Sequence, residues 1–161
     1  MNNPISLDQA KAKVTSLKKE GKTVVFTNGC FDLIHAGHVA YLEQARSLGD
    51  FLIVGLNSDR SVQTIKGPLR PLVPQLYRAQ VLSAFRMVDS VVIFDEETPI
   101  PTLKALEPHI HVKGGDYIKE KLPEYETVMS YGGTIKILSF VDGLSTSAII
   151  QKILKSHVIP K

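Results

Sequence analysis

The chain of 161 residues, 43% apolar and 22% charged, has the length and balance of one ordinary domain that buries a core without disulfides or metals; a disordered or fibrous chain and a pair of full domains are excluded. Its 19 Lys and Arg against 16 Asp and Glu give a net charge of +3 spread along the chain, with no Trp, unlike the basic stripe with interleaved aromatics of a nucleic-acid binder. No nucleic-acid partner is expected. The longest apolar runs, at 51–56 and 90–94, fall far short of the roughly 20 residues of a membrane helix. The start, MNNPISLDQAKAK, lacks the basic and apolar regions of a secretory leader, and Cys30 has no second cysteine to pair with. A cytoplasmic protein with no membrane partner is expected.

An amphipathic helix opens the chain. Ser6 as N-cap with Gln9 three residues on has capping-box spacing, and Ala10, Val14 and Leu17 follow at helical period as far as Gly21. Thr23–Thr27 is the first of five short β-branched runs of the kind that form strands buried on both faces. The others are Phe51–Leu56, Ser90–Phe94, Ile110–Val112 and Thr134–Leu138. Helix-period stretches lie at Val39–Leu48, Gln75–Val88, Pro101–Leu106, about 124–131 and Ser147–Leu154. Strands alternating with helices predict an α/β fold: a single Rossmann-like domain with a five-stranded parallel sheet and helices on both faces. The domain is expected to take in residues 1–161, with the first helix inside 1–21 and the core over 22–155. Lys66–Pro74 (KGPLRPLVP) reads as a mobile loop over a site. Ligands of such sheets bind beyond the C-terminal strand ends, near the point where strand order reverses.

Directly after the first strand the chain reads Asn28-Gly29-Cys30-Phe31-Asp32-Leu33-Ile34-His35-Ala36-Gly37-His38. A strand, a glycine turn and a helix start put free N–H groups and the positive end of a helix dipole together, an arrangement suited to phosphate. The spacings GxxxxGK[ST] and GxGxxG are both absent, which removes support for a standard P-loop enzyme or nicotinamide enzyme. Two histidines three positions apart, with Gly37 between them, can both donate to one polyphosphate. A His pair at that spacing can also ligate zinc, but no third ligand accompanies it. His109 and His111 alternate with apolar residues as on one strand face, and His157 lies in a polar tail.

The segment TNGCFDLIHAGHVAYLEQA resembles the signature of the HxGH nucleotidyltransferase superfamily, in its cytidylyltransferase-like branch. The resemblance implies that His35 and His38 contact the triphosphate and stabilise the transition state at the α-phosphorus, and that Thr27, Asn28, Gly29, Cys30, Phe31, Asp32 and Gly37 surround the nucleotide. It also implies nucleotide contacts from Ser145, Thr146 and Ser147 within Gly143–Ile150, where the family has an ISTT-type segment followed by an Arg whose place Lys152 takes here. Arg78 and Arg86 are expected at phosphates by the same likeness.

Asn57-Ser58-Asp59, Lys66-Gly67-Pro68, Arg70-Pro71, Phe94-Asp95-Glu96-x-Thr98-Pro99 and Lys113-Gly114-Gly115-Asp116-Tyr117 further resemble the heptose 1-phosphate adenylyltransferase branch. That likeness implies transfer of AMP from ATP to D-glycero-β-D-manno-heptose 1-phosphate, with pyrophosphate released. Lys66 is expected to be catalytic, Lys113, Gly115 and Asp116 to meet the nucleotide, and Asn57, Asp59, Arg70 and Tyr117 to meet the sugar phosphate. Mg²⁺ is expected to ride on ATP, with no metal ligand from the protein alone. Family members associate as dimers or larger homo-oligomers. A CTP-dependent enzyme acting on glycerol 3-phosphate or a related alcohol phosphate is the alternative, and a binding protein that has lost catalysis is disfavoured by the intact histidine pair.

Overall fold

The five apolar runs become five strands because each carries side chains suited to both faces of a sheet. A computed structural model describes residues 4–139 and 145–157. Its strands are β1 (Val24–Gly29), β2 (Phe51–Asn57), β3 (Ser90–Phe94), β4 (Ile110–Gly114) and β5 (Thr134–Leu138). All pair in parallel in the order β3-β2-β1-β4-β5. The order reverses at β1, whose neighbours are β2 on one side and β4 on the other. The predicted five-stranded parallel sheet is therefore the observed one.

The helices are α1 (Leu7–Lys19), α2 (Ala36–Arg46), α3 (Asp59–Lys66), α4 (Gln75–Ser83), α5 (Ile100–Leu106), α6 (Tyr125–Ser130) and α7 (Thr146–His157). Side chains alternate across a strand, so β1 and β2 feed two separate cores. Val25, Leu52, Val54 and Leu56 join Tyr41 and Leu42 of α2 and Leu82 of α4 on one face. Val24, Phe26 and Ile53 join Ala10 and Val14 of α1, Leu103 of α5 and Val128 on the other. The Ser6 and Gln9 capping box forms as expected, with the two reciprocal bonds at 2.9 and 3.2 Å.

Three differences from the sequence expectation bear on the site. β1 runs on through Asn28 and Gly29, which pair in register with Gly55 and Leu56, so the chain turns later than the glycine suggested. α4 stops at Ser83 rather than Val88. Short i to i+3 bonds from Ala84, Phe85 and Val88 tighten the chain there, and Asp89 then locks onto β2, its carboxylate accepting from Leu52 N at 2.8 Å. Lys66 was expected in a loop and instead closes α3, a helix whose eight residues carry only two large aliphatic side chains, Val62 and Ile65.

Candidate active site

A cleft of about 480 Å³ opens at the C-terminal ends of β1, β2 and β4, on the reversal point of the sheet. Its size is that of a site for a small molecule. Asn28, Gly29 and Cys30 line it from β1 and the turn that follows. Phe31 holds a left-handed backbone (φ 45°), uncommon for a bulky residue. Its ring lies in the core 5.3 Å from the His38 ring, while the next residue, Asp32, meets the 70–73 segment.

Asp32 is almost fully buried and all its capacity is used inside the protein. It accepts from Arg70 Nε at 2.6 Å and from the backbone N–H groups of Leu72 and Val73 at 2.9 Å. Burial alone raises a carboxyl pKa, but those two N–H groups and the Arg70 guanidinium outweigh it and hold Asp32 below its ordinary value. Arg78 of α4 adds a second tie. Its guanidinium is 1% exposed and donates to Val73 O, Cys30 O and the Asp59 carboxylate. The segment expected to be mobile is thus clasped to the β1–α2 turn from both sides.

His35 is the N-cap of α2 and His38 its third residue, so both rings stand at the positive end of the helix. The ring centroids are 3.9 Å apart. His35 N donates to His38 Nδ1 at 3.3 Å, which makes that nitrogen the acceptor and leaves the proton of neutral His38 on Nε2. His35 Nδ1 is buried without a partner among the described residues, a place for a bare lone pair rather than a proton. Burial, then the neighbouring His35, pushes His38 down to about 4, and burial lowers His35 as well. Both rings are uncharged donors at neutral pH.

Three cations of the described residues line the cleft: Lys66, Arg70 and Lys113. Arg70 is paired with Asp32, and Lys113 Nζ sits 2.9 Å from Glu124, 3.5 Å from Asn28 Oδ1. Lys66 has no ion pair or hydrogen bond in the described residues. Ser145, Thr146 and Ser147 close the cleft at the head of α7. Ser145 Oγ caps that helix through Ala148 N, and the Thr146 hydroxyl donates to Leu33 O at 3.1 Å, fastening α7 to the turn before α2.

The profile of the cytidylyltransferase-like family matches residues 26–152. The chain belongs to that family. It is 54% identical to the bifunctional protein HldE of Pelobacter propionicus over 87% of this chain and 29% of that protein. Against HldE of Geobacter sulfurreducens it is 51% identical over 94% of this chain and 31% of that protein. The chain therefore spans about a third of the length of these curated relatives. A solved structure titled as a lipopolysaccharide core biosynthesis protein, from Thermoplasma volcanium, aligns with TM-score 0.61 at 29% identity, covering 75% of this chain and 98% of that one. Pantothenate synthetase of Thermus thermophilus aligns with TM-score 0.64 at 15% identity, covering 92% of this chain and 66% of that one, a likeness of fold.

For this cytidylyltransferase-like chain, His35, His38, Gly37, Asn28, Gly29, Cys30, Phe31, Asn57, Lys66, Arg70, Lys113, Tyr117 and residues 145–147 come together on the cleft, and Asp32 lines it while spending its oxygens on the 70–73 segment. Other residues named from the sequence stand elsewhere. Thr27 is buried beneath the site, its hydroxyl 2.6 Å from the Tyr41 hydroxyl and 3.0 Å from Val112 O. Asp59 pairs with Arg78 at 2.8 Å and neither lines the cleft. Gly115 is buried and its N–H donates to Leu138 O, while Asp116 is exposed outside the lining. Arg86 lies past the end of α4, exposed and paired with Glu43 at 2.8 Å, away from any phosphate position in the cleft. Lys152 lies within α7, on a face shared with Ala148 and Lys155, and does not line the cleft. Gly143 and Leu144 lie outside the described residues.

The sequence reading missed Tyr41, Ile65 and Glu97, all in the lining. It also missed Glu124, which is 2% exposed and reaches Lys113 from behind. Glu126 and Glu124 look alike in LPEYETV, and only the fold separates the exposed one from the buried one.

Proposed function

We propose that this chain transfers AMP from magnesium-bound ATP to D-glycero-β-D-manno-heptose 1-phosphate, giving ADP-heptose and pyrophosphate for the lipopolysaccharide core. A phosphate oxygen of the sugar attacks the α-phosphorus as the bond to the pyrophosphate oxygen breaks. The nucleophile is already anionic at neutral pH, so catalysis consists of positioning and of neutralising the charge that moves onto pyrophosphate. The observation that carries the reading is the closely spaced, tilted His35 and His38 pair at the head of α2, on the same cleft as Lys66, which has no ion pair in the described residues. In this reading His38 Nε2–H donates to the phosphates and Lys66 meets the departing pyrophosphate. The magnesium enters as part of the nucleotide: of the two carboxylates that line the cleft among the described residues, Asp32 is committed to Arg70, and Glu97 alone is too few ligands to hold the ion.

The bifunctional naming of the relatives, with this chain spanning about a third of them, suits one activity of two, and the Thermoplasma structure's title supports the lipopolysaccharide setting. We also infer a cytoplasmic homodimer or larger homo-oligomer, which the exposed Leu69, Leu72, Leu76 and Tyr77 at the start of α4 and just before it favour; a monomeric mass in sedimentation equilibrium would remove that part. The deciding assay is pyrophosphate release with the heptose 1-phosphate and Mg²⁺, ATP against CTP, with a blank lacking sugar. Release with ATP alone is expected. Release with CTP alone would move the enzyme to the cytidylyltransferase side, and silence with both nucleotides would overturn the acceptor.

A further inference from the structure

We propose that Glu124 is a positioning residue for nucleotide selection, acting through Lys113, and that Lys113 meets the uncharged nucleoside half of the substrate rather than its phosphates. The inference rests on nucleotide binding at the site described above, not on which sugar phosphate is the acceptor.

His111 and Lys113 are two apart on β4 and so share one face of the sheet. Glu124, at the start of α6, sits against that face with 2% of its surface exposed. The same carboxylate oxygen, Oε1, lies 3.1 Å from His111 Nε2 and 2.9 Å from Lys113 Nζ. Burial holds His111 below its ordinary pKa despite the facing Glu124, so the ring carries one proton, and an ionised carboxylate can only accept, which puts that proton on the nitrogen facing Glu124. His111 is therefore the neutral tautomer with its proton on Nε2, donating to Glu124. That leaves one ionised carboxylate facing one ammonium, and the cluster has no net charge.

The consequence follows from what the cleft offers elsewhere. A triphosphate needs uncompensated positive charge or bare N–H groups, and Lys66, the two imidazoles and the head of α2 supply them. At the end of β4 the charge of Lys113 is already cancelled. What it presents is direction: one N–H on Glu124, one toward Asn28 Oδ1 at 3.5 Å, and a third with no partner in the described residues, at a side chain 20% exposed on the cleft. A fixed, charge-compensated donor suits a ribose hydroxyl or an acceptor on the base edge.

Binding of ATP, and of inorganic tripolyphosphate as a phosphate-only probe, to Glu124→Gln and Lys113→Met by calorimetry tests this. Loss of one oriented hydrogen bond is expected to weaken ATP about tenfold, with tripolyphosphate unchanged within about twofold. The double variant is expected to be no worse than Lys113→Met, because both residues act through one contact. If Glu124→Gln does not fold, the uncharged pair Lys113→Met with Glu124→Gln gives the same comparison. ATP lacking the 2′- or 3′-hydroxyl is expected to lose its sensitivity to Lys113→Met if the partner is ribose, and to keep it if the partner is the base. Equal weakening of ATP and tripolyphosphate, or folded variants that bind ATP like the parent, would overturn the proposal. Neither result depends on turnover with the heptose.

Discussion

At the end of β4 the Lys113 ammonium meets a buried carboxylate 2.9 Å away, and behind the turn after β1 the Arg70 guanidinium meets another at 2.6 Å. At the end of α3 and the head of α2 the same cleft is faced by Lys66, His35 and His38, and no carboxylate pairs with any of them in the described residues. The difference separates scaffolding from chemistry. Buried pairs cost desolvation and are kept where geometry must be fixed, while donors without partners are where an anionic ligand gains most. The two kinds are not told apart by the sequence: Lys66 and Lys113 each stand directly before a glycine.

The comparison breaks first at His38. Replacing it with Ala removes a donor aimed at developing charge, and turnover is expected to fall at least about a hundredfold. The melting temperature is expected to change little, because the ring's one hydrogen bond among the described residues is a 3.3 Å contact with its own helix cap. Rates like the parent's would end its assignment to the unpartnered class. Lys66→Ala comes next. Loss of a charge-assisted contact is expected to cost about tenfold to a hundredfold in kcat/KM and to weaken inhibition by pyrophosphate in parallel, with the fold intact.

Asp32 belongs to the other class, so its replacement is expected to show in stability before chemistry. Asp32→Asn removes the ion pair with Arg70 and puts an amide donor against backbone N–H groups. A loss of about 1–3 kcal/mol in denaturant unfolding is expected, with faster proteolysis near residues 67–74. An unchanged stability alongside lost nucleotide affinity would return Asp32 to the ligand-binding set. Its depressed pKa also fixes a sign: the stability it lends is present above the ordinary carboxylate range and is lost as pH falls through the lowered folded value.

How much of this was legible follows from distance along the chain. The strands, the Ser6 cap and the histidine pair rest on neighbours within a few positions, and the sequence showed them. Asp32 gives its carboxylate to residues some 40 positions away, and Arg78 reaches back 48 to Cys30. Nothing local distinguishes Arg78, 1% exposed, from Arg86 eight positions on and past the end of α4, which is exposed. α3 escaped because its eight residues carry only two large aliphatic side chains, Val62 and Ile65, an apolar stripe too short to stand out between a strand and a Pro- and Gly-rich stretch.

A pH experiment sharpens the contrast further. His38 is held near 4, so between 6.5 and 4 the unfolded chain takes up its proton first, and stability falls as pH drops through that window. A polyphosphate beside the ring favours the imidazolium and raises its pKa. Nucleotide binding at about pH 5.5 is then expected to take up a fraction of a proton, seen as buffer-dependent heats. His38→Asn abolishes the uptake. Uptake that persisted would place the proton on another group.

The smallest effect is expected at Arg86, where the family likeness and the structure disagree. Its guanidinium is exposed and its partner, Glu43, sits on the outer side of α2 at 2.8 Å. Surface pairs of this kind contribute about 0–1 kcal/mol, so Arg86→Ala is expected to leave stability within about 0.5 kcal/mol and kcat/KM within about twofold. A loss as large as that of Lys66→Ala would mean that Arg86 leaves Glu43 and swings to the phosphates when substrate binds. The cleft would then gain an unpaired cation only in the bound state, and pairing in the free protein would no longer tell scaffold from chemistry at that position.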